Sequence, residues 1–306
     1  MYPVLFTLPN GSQVFSYGVM LGLSCVVGAH LAVYLSRRSR IEEKRAWWMV
    51  LTVIAVGLVG GRVHDLIVNG RPLSELFQLT HSGRTAYGAF VSATLAGIVA
   101  SRAYGVPFWR FGDAAAPTMA IGLGLTRIGC FLYGCDYGQI SEAWGVRFPL
   151  GSPAYEDHLA RGLISEGSPS LAVIPIQLPA SVVGLTLGAF LLWLWFRQPR
   201  REGTVLLGFG LGYGLARAAL EQFRDDAGRG ELLGLSTSTT IGLGTALLSG
   251  ALLAVPQLRA LRPLADPPLP HTPEPEDAPE AKAPGEKPGG KRPGGKRRGG
   301  KQQDKS

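Results

Sequence analysis

Residues 126–138 read Thr-Arg-Ile-Gly-Cys-Phe-Leu-Tyr-Gly-Cys-Asp-Tyr-Gly, and the fold is read from what lies on either side of them. The apolar run Ala114–Leu125 comes just before and reads as a membrane helix, so Arg127 stands at its end. A guanidinium there is costly unless it faces a wet cavity, a partner charge or an anionic ligand, which makes it a functional candidate. The plainer reading is an arginine whose stem snorkels and carries its charge to the headgroup zone. A second arginine inside a later apolar run, Arg217, tips the balance towards function.

Working outward, the chain of 306 residues is 46% hydrophobic and only 17% charged, a balance that excludes an ordinary soluble domain. Seven apolar segments are each about long enough to span a bilayer at ~1.5 Å rise per residue. They lie near Val14–Leu35, Ala46–Val68, Tyr87–Tyr104, Asp113–Tyr133, Ile176–Phe196, Thr204–Phe223 and Thr237–Val255. The expected fold is therefore an all-α polytopic membrane protein with seven transmembrane helices over residues 1–262. The following stretch, 263–306, is rich in Pro, Gly, Glu and Lys and is expected to be a disordered tail.

Positive charge sets the orientation. Arg37, Arg38, Arg40, Lys44 and Arg45 follow the first segment, Arg102 and Arg110 flank the third link, and Arg197, Arg200 and Arg201 follow the fifth. Arg259, Arg262 and the basic tail follow the seventh. The positive-inside rule then places the N-terminus outside, in the periplasm, and the C-terminus in the cytoplasm, as an odd number of spans requires. The net charge of +8, concentrated in these loops and the tail, reads as topology and contact with anionic membrane lipids rather than nucleic-acid binding. No Lys or Arg precedes the first apolar run, so no cleavable signal is expected.

The long loop after the fourth segment, residues 136–175, carries Trp144, Arg147, Tyr155, Glu156, Asp157 and His158, and a loop of that size is usually functional or partly structured. A solvated connector is the simpler alternative. Three cysteines make no disulfide framework. Cys25 reads as packing, while Cys130 and Cys135 can pair if their loop faces an oxidising compartment. Glycines four apart, at Gly18/Gly22, Gly57/Gly61, Gly184/Gly188 and Gly208/Gly212, read as places of close helix approach.

Chemistry concentrates in the sixth segment. Tyr213, Arg217 and Glu221 are spaced i, i+4, i+8 and share one helix face, with Arg224 three residues further on. A structural Arg217–Glu221 pair accounts for two of these but leaves Arg62, Arg127 and Arg224 unexplained. The second segment ends Gly60-Gly61-Arg62-Val63-His64-Asp65, and the link before the third adds His81, Arg84 and Tyr87. Tyr17 stands near the outer end of the first. Arg62, Arg84, Arg127, Arg217 and Arg224 thus come towards one level of the bilayer. The planar fork of arginine suits phosphate, so the spacing and topology predict a pocket for an anionic phospholipid headgroup.

At these residues the chain resembles the prolipoprotein diacylglyceryl transferases, integral enzymes of the bacterial inner membrane. Their signature G-R-x-G-N-F-x-N-x-E-x-x-G is matched at Arg127, Gly129, Phe131 and Gly138, with Cys130 and Tyr133 at its asparagines and Cys135 at its glutamate. The family helix Y-G-x-x-R-x-x-x-E-x-x-R is matched at Tyr213, Gly214, Arg217, Glu221 and Arg224. Gly60-Gly61-Arg62 resembles the L-G-G-R segment, Tyr17-Gly18 the opening W-Y-G, and Pro175-Ile176-Gln177-Leu178 the H-P-x-Q-L motif, with Ile174 at its histidine. The resemblance runs over roughly residues 14–256. One departure stands out, since the H-G-G motif reads Tyr87-Gly88-Ala89 here.

The resemblance implies transfer of a diacylglyceryl group from phosphatidylglycerol to the lipobox cysteine of a prolipoprotein signal peptide, with no cofactor and no metal. It implies Arg127 and Arg217 on the phosphate. Tyr17, Tyr213, Arg62, Arg84, Arg224, Gly88, Gly138 and Gln177 would border the lipid. The thiol proton acceptor stays open between Tyr87, Glu221 and His81, because a phenol of pKa about 10 is a poor base unless cations lower it. A paralogue with another acceptor and a lipid or anion transporter are the alternatives. The second predicts repeat symmetry, which the sequence does not display.

Overall fold

Within a bilayer, a helix turns its apolar side chains outward and must satisfy its polar groups inside the bundle. The computed structural model describes residues 1–9, 11–77, 86–197, 201–225, 230–232 and 234–255, all within one compact unit, and has this inverted pattern. Val26, Leu51, Val91, Val182 and Leu247 are exposed on helix surfaces, while Ser24, Asp65, Asp113, Ser181 and Glu221 are buried.

Among the described residues eight α-helices follow in order: α1 (Ser16–Arg38), α2 (Glu43–Val68), α3 (Ala86–Ala103), α4 (Phe108–Tyr133), α5 (Pro153–Ala160), α6 (Gln177–Phe196), α7 (Thr204–Glu221) and α8 (Thr237–Ala254). Seven coincide with the apolar segments to within a few residues; α5 lies in the long loop. Two short hairpins, β1 (Val4–Thr7) with β2 (Gln13–Phe15) and β3 (Glu231–Leu232) with β4 (Leu235–Ser236), are additions to the all-α expectation. Among the described residues five helices, α1, α2, α4, α6 and α8, are long and apolar enough to cross a membrane. Arg217 and Glu221 lower the hydropathy of α7, and the described apolar part of α3, Gly88–Ala103, is shorter.

α4 is the centre of the bundle, packed along α1 and α6 and against α7, while α2 pairs with α3 and α7 with α8. Small residues set the spacing. A Cβ on Gly184 would lie 2.7 Å from the backbone nitrogen of Gly124, so α4 and α6 touch backbone to backbone. Gly214 is equally tight, 2.4 Å from the Gly242 carbonyl of α8. The Gly18/Gly22 pair, expected to be a close approach, faces open space instead.

The two ends of the bundle are held differently. At one end Asp113 of α4 accepts hydrogen bonds from the backbone N–H groups of Gly203, Val205 and Leu206 at 2.9–3.0 Å, capping α7 from a neighbouring helix. Arg110 clamps Glu202 beside it at 2.6 Å. At the other end the long loop is ordered, with a core of Tyr137, Phe148, Ala154 and Val173. Its helix α5 is capped by Ser152, and the buried His158 accepts the Leu171 N–H at Nδ1 (3.1 Å). The solvated-connector alternative therefore fails. Trp144, by contrast, is 80% exposed at the loop surface.

Candidate functional site

The site is built where α4 ends. Gly134 (φ +91°) and Asp136 (φ +55°) both take the left-handed conformation, which Asp tolerates better than most side chains. Two such residues within three turn the chain back, so the Asp136 carboxylate meets the helix it has just left. It accepts from Arg127 of α4 at 2.5 Å and from Arg224, just past α7, at 2.6 Å. The Cys130 thiol donates to the same carboxylate at 3.3 Å. Burial opposes ionisation of Asp136, but Arg127 and Arg224 outweigh it and hold the carboxyl well below the usual carboxylate range.

The same logic continues along α7. Its close approach to α8 at Gly214 brings Arg217 onto Ser238, 2.9 Å away. One turn later Glu221, 2% exposed, pairs with Arg217 at 2.8 Å and approaches Arg224 at 3.9 Å. The result is one network, Arg127–Asp136–Arg224–Glu221–Arg217, linking α4, its loop, α7 and α8. Among the described residues it joins three guanidinium groups to two carboxylates.

Arg127 and Arg217 share a narrow, partly open cleft between α4, α6 and α7. Leu123, Ala180, Gly184 and Tyr213 are among the other residues that line it. Tyr213 is held by stacking on Phe209 (5.5 Å, 3° between planes) and by Phe90 of α3 at 6.3 Å.

The other sequence candidates are distributed around this centre. Tyr17 lies against Tyr133 at 6.4 Å, beside Gly129, at the same end of the bundle. Gln177 opens α6 and donates to the Cys135 carbonyl at 2.7 Å, so it braces the turn. Gly138 pairs with the Arg224 backbone as an isolated bridge, where a Cβ would strike the carbonyls of Ile174 and Phe223. Gly88 packs on Gly60 and His64 of α2. Among the described residues Arg62 pairs with Asp65 at 3.4 Å and donates to the Glu75 carbonyl at 3.2 Å, while Arg71 holds the same Asp65 at 2.5 Å. Tyr87 stands in the first turn of α3; its side chain, with Arg84, His81 and the tail 263–306, lies outside the described residues.

Sequence reasoning missed Asp136, the hub. The signature register puts Cys135 at the acidic position, and the carboxylate stands one residue later. The signal was an aspartate in a stretch already singled out. Ser238 was missed too, and a serine before an apolar run gives no warning that an arginine will meet it. Cys130 Sγ, Cys135 Sγ and an Asp136 oxygen lie within 4.8 Å of one another, a donor set for a cation. Both Asp136 oxygens, however, are already taken by guanidinium groups.

Comparison with known proteins gives the chain a family. The family described as prolipoprotein diacylglyceryl transferase matches residues 3–255. The phosphatidylglycerol–prolipoprotein diacylglyceryl transferase of Clostridium tetani is 28% identical over 251 residues, 81% of this chain and 95% of that protein. A Clostridium perfringens protein of the same name, numbered 2, is 30% identical over 79% of this chain and 91% of its own length. The Sinorhizobium medicae protein of that name is 31% identical over 76% of this chain and 83% of its own. With its signature arginines gathered in one network and the match running nearly the length of the described bundle, the chain belongs to the prolipoprotein diacylglyceryl transferase family.

Proposed function

We propose that this protein transfers the diacylglyceryl group of phosphatidylglycerol to the lipobox cysteine of a prolipoprotein, the first step of lipoprotein maturation. The observation that carries the reading is the placing of Arg127 and Arg217 on one cleft. The planar fork of arginine suits a phosphodiester. The acceptor thiol must ionise to attack. Its sulfur bonds to the glyceryl carbon, the bond from that carbon to the phosphate oxygen breaks, and glycerol phosphate leaves. Charge grows on the departing phosphate, and preorganised arginines in a site poor in water stabilise it best.

Arg127 and Arg217 hold the phosphate in this reading, with Tyr213 and Tyr17 orienting the headgroup. Glu221 is enclosed by Arg217 and Arg224, which suits it to fixing those arginines. The proton acceptor is then left between Tyr87 and His81. The chain crosses the inner membrane seven times, with α3 and α7 as the two less apolar spans and the site at the periplasmic end. Support for this orientation comes from the arginines that follow α1, α3 and α6, all at the end opposite the Arg127 network. The ordered loop 136–175 would receive the signal peptide.

The test is direct. Purified protein with phosphatidylglycerol vesicles and a lipobox peptide gives a lipid-shifted peptide, and Arg127→Ala abolishes the shift. No shift with the unmutated protein across lipid compositions sinks the assignment. The Tyr87-Gly88-Ala89 departure favours one second reading, a paralogue with another thiol or hydroxyl acceptor. If neither the protein nor Tyr87→His rescues a transferase-depleted strain while phosphatidylglycerol is still consumed in vitro, that reading prevails.

A further inference from the structure

Two thiols beside the arginine network have no part in the transfer chemistry. Cys130 is 2% exposed in the last turn of α4, and Cys135 lies partly exposed just beyond it. The backbone closes on itself between them. The Gly134 N–H donates to the Cys130 carbonyl at 2.8 Å, and the Cys135 N–H donates to the same oxygen at 3.1 Å. This is the helix-ending turn that a left-handed glycine permits. A disulfide asks for Cα atoms roughly 4.4–6.8 Å apart, and a direct backbone hydrogen bond between the two residues is the contact that keeps them close. The sulfurs already lie within 4.8 Å of each other.

We infer that Cys130 and Cys135 are a modification site, a reversible disulfide across the turn that closes α4. A metal is the competing use of two thiols and a carboxylate. Here it is disfavoured, because Arg127 approaches Cys130 Sγ at 3.9 Å and shares Asp136 with Arg224. A dication between the sulfurs would face those guanidinium groups at short range. An uncharged disulfide meets no such repulsion.

The chemistry balances with a disulfide oxidant, small-molecule or protein. Cys135 is the more accessible thiol and exchanges first, forming a mixed disulfide and releasing one reduced thiol of the oxidant. Cys130 then attacks the Cys135 sulfur and releases the second. Two protons and two electrons leave the pair, and the oxidant is reduced to two thiols. The hydrogen bond with Cys130 and burial push the Cys135 thiol up, so this exchange is slow unless catalysed. The cross-link ties the end of α4 to the residue before Asp136, fixing the turn that carries the carboxylate between Arg127 and Arg224. Asp136 gives up the Cys130 thiol donor and keeps both arginines.

The experiment reads thiols and does not depend on the transferase reading. Full-length protein in detergent, with Cys25→Ser, is equilibrated in oxidised or reduced glutathione, then denatured and labelled with a mass-tagged maleimide. The expected result is two tags after reduction and none after oxidation, with an intact mass lower by two hydrogens. In that oxidising buffer, Cys130→Ser or Cys135→Ser should leave the remaining thiol blocked only by glutathione, with the mass of that adduct. Two tags after oxidising equilibration, or thiols protected until a chelator releases a bound metal, overturn the proposal. So does a mixed glutathione adduct on both cysteines.

Discussion

Asp136 joins Arg127 of α4 to Arg224 just past α7, and removing it takes the carboxylate that both share. Asp136→Asn keeps the shape and loses the charge. For a partly exposed group the loss is expected to be roughly 1–3 kcal/mol of stability, below the 3–5 of a fully buried broken pair. The expected readout is a lower thermal midpoint in detergent together with slower transfer. Arg217→Ala, by contrast, removes a cleft-lining guanidinium and should slow transfer by about 10²–10³-fold, the range for losing one preorganised donor. Phosphatidylglycerol binding, measured separately, should weaken far less than turnover. Equal losses in both would mean that Arg217 binds ground state and transition state alike.

At the scale of elements, α7 has a left-handed glycine at its N-cap, with no side chain to satisfy its first amides, so α4 supplies one. Asp113→Ala strands the three N–H groups of Gly203, Val205 and Leu206 and is expected to cost about 2 kcal/mol, at the upper end for a lost cap. Hydrogen exchange should quicken in the first turn of α7 and not in α8. Gly184→Leu tests the opposite face of α4. Its Cβ alone would sit 2.7 Å from the Gly124 nitrogen, so the helices must part, typically at 1–3 kcal/mol or more (roughly). The ordered loop offers a pH test. Burial, with Arg161 nearby, pushes the His158 imidazole below its ordinary value of 6.5 despite Asp157. The folded loop therefore holds it neutral, and that stability is present above the ordinary value and lost as pH falls through the lowered one. Exchange protection across residues 153–173 should fall on acidification, and His158→Gln should flatten the dependence.

For the whole molecule, the sign pattern of its loops predicts an orientation that can be tested. In a cysteine-free background, Trp144→Cys should react with a membrane-impermeant maleimide added to intact spheroplasts. Arg38→Cys should react only after the membrane is opened. The reverse pattern would place the arginine network on the cytoplasmic side and remove access to an exported prolipoprotein.

The helices were legible because a bilayer imposes a length and an apolar composition that a linear scan can read, and all seven apolar segments became helices. The arginines at 127, 217 and 224 were legible because charge inside such segments is rare. Their partners were not. Asp136 and Ser238 are ordinary residues in a loop and at a helix start, and only the left-handed turn at Gly134 and the Gly214–Gly242 approach bring them onto guanidinium groups. Arg62 shows the same limit from the other side: its segment resembles the rest, yet Asp65 and the Glu75 carbonyl claim it. Hydropathy and charge are sums along the chain and survive in the sequence. Which carboxylate neutralises which arginine depends on distances between segments far apart in it, and those were decided only when the helices packed.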